Sequence, residues 1–104
     1  MENGKVNILF VCGFGMGTST MAELGVKNNL SKFNIQANLQ HTALGQMESL
    51  REWADIIVIL KNLMRELKFE GHEHVIPVVN IMDGKGIASK INDIVTVHFP
   101  EAKG

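Results

Sequence analysis

Two apolar runs constrain this chain more than anything else in it: "VNILFV" at residues 6–11 and "DIIVIL" at residues 55–60. Neither alternates with polar residues, so neither suits a strand with one wet face. Both are far shorter than the roughly 20 residues that a bilayer-spanning helix needs. They read as strands covered on both faces, the central pair of a parallel sheet. Two edge strands are predicted beside them. Residues 35–40, "IQANLQ", alternate and suit a half-exposed edge. Residues 74–79, "HVIPVV", contain Pro77, which lacks an N–H for the ladder and belongs on an edge. Helical spacing falls between the strands, at residues 20–30, 46–53 and 85–98, with a further turn or two in "NLMREL". Thr20 and Glu23 fit a capping box at the start of the first helix. Pro100 closes the last one. Strand–helix alternation implies right-handed crossovers. The predicted fold class is therefore α/β: a three-layer open sheet of four parallel strands, order 2-1-3-4, with helices on both faces. The winding reverses after the first strand, and ligands of such sheets sit at the carboxyl ends of the strands near that switch.

That switch is where "VCGFGMGTST", residues 11–20, falls, with the one cysteine of the chain at its head. A lone cysteine ending a buried strand is ordinarily a small core residue. The residues after Cys12 argue otherwise. Gly13, Gly15 and Gly17 let successive backbone N–H groups turn inward as an anion nest, and the helix that follows adds its positive dipole end. Thr18, Ser19 and Thr20 add hydroxyl donors. The same surroundings favour thiolate over thiol at Cys12. A thiolate at the mouth of a phosphate cradle is a nucleophile aimed at phosphorus, so a phosphocysteine is the expected intermediate. The candidate site is Cys12 as the catalytic residue, with Gly13, Phe14, Gly15, Met16, Gly17, Thr18 and Ser19 as the phosphate cradle. No lysine followed by Ser or Thr occurs in the loop, so it is not a nucleoside-triphosphate P-loop.

Composition excludes other classes. The 104 residues suit one domain over 1–104, with a frayed tail expected from about residue 100. A net charge of −1 with interspersed signs leaves no basic block for nucleic acid and no membrane-surface helix. The apolar run at 8–12 lacks the flanks of a signal peptide, and a single thiol suits a reducing cytoplasm.

The cysteine ending the first strand, the glycine loop and "TSTM" together resemble the IIB component of the bacterial phosphoenolpyruvate-dependent sugar phosphotransferase system, of the ascorbate and galactitol type. "ADIIVIL", "VVNIMD" and the terminal "HFPE" also look like the ascorbate members, so the resemblance runs along essentially the whole chain, although only the loop is specific. It implies a phosphoryl relay. Cys12 would accept a phosphoryl group from a phosphohistidine of a IIA component and pass it to a sugar held by the membrane IIC component. IIA and IIC are then the partners, no cofactor is needed, and the protein is recruited to a permease without entering the bilayer.

The loop also resembles that of low-molecular-weight tyrosine phosphatases, which carry Cys-x5-Arg-Ser/Thr. Here Thr18 stands where the arginine would be, and no Lys or Arg occurs between residues 6 and 26. A phosphatase uses its arginine to clamp phosphoryl oxygens and an aspartic acid to protonate the leaving group. Backbone amides and hydroxyls alone suit holding a phosphoryl group better than hydrolysing its ester. A phosphatase-like hydrolase and an anion-binding module with a structural cysteine are the alternatives; arsenate reduction needs cysteines this chain lacks.

Other residues take lesser parts in this reading. Phe14 and Met16 are apolar among glycines and are assigned to partner contact. His41, at the end of the second strand, lies on the same side of the molecule as Cys12, and a surface role is weighed above assistance to transfer. His72 and His74 without a third ligand make a poor metal site. Asp83 is expected to cap the last helix rather than act as an acid, and His98 to complement that helix's carboxyl end. Trp53, Met47 and Leu50 are read as core.

Overall fold

A computed structural model of the chain describes residues 4–12, 16–69, 71 and 73–103. Its strands are β1 (Val6–Cys12), β2 (Ala37–Ala43), β3 (Ile56–Leu60) and β4 (His74–Val78). Its helices are α1 (Met16–Lys32), the single-turn α2 (Glu48–Arg51) and α3 (Gly84–His98). Short 3-10 segments cover Leu44–Gln46, Lys61–Glu66 and Pro100–Ala102.

The four strands run parallel in the order β2-β1-β3-β4, as the apolar patterning predicts. In register, Phe10 stands against His41 on one side and Val58 on the other, and Cys12 stands against Ala43. Pro77 pairs with Ile59 on edge strand β4. Alternate residues of the central strands feed two cores. Val6, Ile8 and Phe10 pack with Val26 and Leu30 of α1 and Ile87 and Ile91 of α3. Leu9, Val11, Ile57 and Ile59 pack on the other face, under Met47, Leu50, Trp53, Leu63 and Phe69. Trp53, Met47 and Leu50 are thus core, as expected. The second face is roofed by the segment around α2 and by the 3-10 segment Lys61–Glu66 rather than by long helices.

Three local expectations need correction. The first helix begins at Met16, not near Thr20, so Thr20 lies inside it rather than at its N-cap position. "GMG" reads as loop because glycine is poor in a helix interior, but that penalty matters less in a first turn, where amides have no carbonyl partner anyway. The second strand spans Ala37–Ala43, not 35–40. The cause is the end of α1: Asn34 takes φ 59°, Asn34 N–H donates to Ser31 and Ile35 N–H donates to Leu30. This is a Schellman closure with asparagine in the left-handed position and an apolar pair, Leu30 and Ile35, beside it in the core. Finally, the carboxyl-terminal segment is pinned rather than frayed. Ala102 is buried, its carbonyl accepts from Gln36 N–H at 2.7 Å, and Ile35 bridges Lys103. Nothing local in "PEAK" announces that long-range pairing.

Candidate functional site

The candidate site falls at the carboxyl rim of the sheet. β1 ends at Cys12 and α1 starts at Met16. The chain leaves β1 toward β2 on one side, and returns to β3 on the other. Cys12 therefore occupies the switch point of the sheet, where the winding reverses. Gly13, Phe14 and Gly15 fall outside the described residues. Met16, Gly17, Thr18 and Ser19 form the first turn of α1 rather than a loop. The amides of a helix's first four residues have no intrahelical acceptor, and the aligned peptides put about half a positive charge at that end. The first turn of α1, which starts four residues after Cys12, thus offers oriented amide donors. The first turn carries no acidic side chain to compete for them.

Helix α1 is tied to the sheet by a contact that the sequence does not announce. His41 Nδ1 and Glu23 Oε2 stand 2.8 Å apart, with the two side chains only 24% and 15% exposed. Glu23 therefore bonds to the edge strand instead of reaching back to Thr20. Its second oxygen, Oε1, is buried and has no hydrogen-bond partner among the described residues. An unmade bond of that kind costs about 1–3 kcal/mol. His41 sits inside β2, two positions before the residue that pairs with Cys12. The periodicity of α1 puts Glu23 on the sheet-facing side, but nothing local in the sequence names its partner.

The turn between β4 and α3 closes the same rim. Asn80 Oδ1 accepts from Met82 N–H at 3.0 Å, and Asp83 Oδ1 accepts from Gly86 N–H at 3.2 Å. Asp83 is the cap of α3, as expected. Gly84 lies against α1 so closely that a Cβ there would come 2.9 Å from the carbonyl carbon of Gly25. Exposed apolar side chains stand nearby in sequence on both elements, Met21 and Leu24 on α1 and Met82 in the turn.

The opposite rim holds an open concavity of about 960 Å³, lined among others by Glu48, Arg51, Asp55, Phe69, Glu73 and His74. Arg51 fills its donors there. Nε and Nη2 reach Glu73 at 2.8 and 2.7 Å, Nη1 reaches Glu48 at 2.9 Å, and Nη2 also meets the Lys68 carbonyl. The hydrogen bonds to Glu73, then those to Glu48, raise the guanidinium still further above its ordinary value, so it stays charged. His98 ends α3 as predicted, and its ring also lies 4.3 Å from that of His74. His72 falls outside the described residues.

With this geometry in hand, the chain was compared with known proteins. Residues 7–93 match the family model described as "PTS system, Lactose/Cellobiose specific IIB subunit". Ascorbate-specific PTS system EIIB components of Shigella flexneri and Salmonella typhi are each 30% identical to the chain over 96 residues, covering 92% of it and 95% of the relative. Among solved structures, a lactose-specific IIB component domain from Streptococcus pneumoniae superposes with a TM-score of 0.62 at 16% identity, covering 91% of this chain and 98% of that one. The fold and these matches define a IIB-type α/β protein. The chain belongs to the PTS IIB family, whose general task is phosphoryl transfer in sugar uptake.

Proposed function

We propose that Cys12 is the phosphoryl carrier of this chain. In the first step the Cys12 thiolate attacks the phosphorus of a phosphohistidine on a IIA component. The S–P bond forms, the N–P bond breaks, and the electron pair returns to the imidazole of the donor. In the second step a hydroxyl of a sugar held by a membrane IIC component attacks the same phosphorus. The O–P bond forms, the thiolate leaves, and the hydroxyl proton passes to a base on the IIC side or to water. Ascorbate is the favoured sugar, because the similar curated relatives carry that name.

One observation carries the reading: Cys12 ends a central strand at the switch point, four residues before the first amide of α1. Those amides can share the charge of a bound phosphoryl group, and no fixed cation between residues 6 and 26 competes for it. Gly13, Phe14 and Gly15 would complete the cradle begun by Met16, Gly17, Thr18 and Ser19. Phe14 and Met16, with exposed Met21, Leu24 and Met82, would meet the partners. The protein would work in the cytoplasm against its permease; among the described residues no helix is long and apolar enough to cross a membrane. The hydrolase alternative is weakened by Thr18 in the place of the arginine, and by Asp83, which is spent on the cap of α3.

The test is intact-mass analysis after incubation with phosphoenolpyruvate, the two general phosphocarriers and a IIA protein. An adduct of one phosphoryl group is expected on the wild type and none on Cys12→Ser. An unmodified wild type, or an adduct that survives the substitution, would overturn the assignment.

A further inference from the structure

The Glu23–His41 contact has a place and a composition that packing does not explain. It joins the second turn of α1 to β2, on the strand that flanks β1 and two positions before the Ala43–Cys12 pair. A carboxylate only accepts hydrogen bonds, so Nδ1 of His41 carries the hydrogen and the orientation of the ring is fixed. An apolar pair of similar volume would serve the core at least as well. Instead a carboxylate stands there with one oxygen buried and unmatched among the described residues.

We propose that Glu23 and His41 are positioning residues for phosphoryl transfer at Cys12. Their hydrogen bond clamps the amino-terminal turns of α1 to the edge strand and so sets where the amides of residues 16–19 stand relative to the sulfur. Neither residue touches the transferring group. The clamp matters here because no Lys or Arg lies between residues 6 and 26. The helix-end amides then bear the phosphoryl charge without a flexible cation to follow it, and oriented donors lose their effect when displaced by fractions of an ångström. The inference rests on the reading of Cys12 as the acceptor.

The experiment measures single-turnover transfer from a phosphorylated IIA protein to the wild type and to Glu23→Leu, His41→Ala, the double variant and His41→Asn, with a thermal midpoint for each. His41→Ala and Glu23→Leu are expected to slow transfer at saturating donor about tenfold. The double variant should be no slower than either single one, since all three break the same bond. His41→Asn keeps an N–H donor near the position of Nδ1 and should restore most of the rate. Additive losses, rates equal to wild type, losses that follow the unfolded fraction, or an asparagine variant as slow as alanine would each overturn the clamp. A wild type that accepts no phosphoryl group would instead overturn the reading of Cys12. The two failures are therefore distinct.

Discussion

The two rims of the sheet are built from similar polar residues and use them differently. At the amino rim the groups saturate one another. Asn7 N–H donates to Asp55 at 2.8 Å, its side chain donates to the Trp53 carbonyl at 3.1 Å and accepts from Asn38 at 3.1 Å. Arg51 does the same for Glu48, Glu73 and the Lys68 carbonyl. At the carboxyl rim α1 begins with no acidic side chain in its first turn, and Glu23 keeps a buried oxygen without a hydrogen-bond partner among the described residues. The lesson is that a polar hollow and the candidate site need not coincide. The hollow of about 960 Å³ lies at the saturated rim, whereas Cys12 ends β1 at the other.

That contrast can be broken by mutation. The largest effect on stability is expected at the saturated rim. Arg51→Ala strips Glu73 of a two-point partner in a half-buried setting and should cost about 3 kcal/mol in a urea melt, with phosphoryl transfer per folded molecule unchanged. A slower transfer would mean the rims are coupled. Gly84→Ala comes next, at about 2 kcal/mol, because the new Cβ is forced onto the backbone of α1 at Gly25. It also displaces the helix that supplies the amides, so transfer should slow as well; an unaltered rate would show that α1 yields without consequence at its amino end. Asp83→Ala is the mildest, about 1 kcal/mol for a lost cap. Transfer should stay within a factor of about two, whereas a general acid would lose at least a hundredfold. A loss of that larger size would return Asp83 to the chemistry.

The parts of this molecule that could be read from the sequence are those set by which faces a segment must bury. "VNILFV" and "DIIVIL" had to be central, Pro77 had to be at an edge, and the strand order followed. Cys12 at the switch point came with that order. What the sequence concealed depends on partners far along the chain. Glu23 looks like a cap until His41 is brought beside it, and Arg51 looks like a surface arginine until Glu73 arrives from 22 residues away. The start of α1 was hidden for a different reason, since Gly17 disguises a helix's first turn as a loop. Asn34 did the same at the other end, where one left-handed residue delayed the second strand.

The anchoring of Ala102 and Lys103 beside Ile35 and Gln36 has a practical side. Gln36 immediately precedes β2, so the carboxyl-terminal segment leaves from the floor of the sheet, while Cys12 ends β1 at its ceiling. A passenger fused after this segment, whether a purification handle or a fluorescent protein, would hang below the molecule, away from the rim where β1 ends.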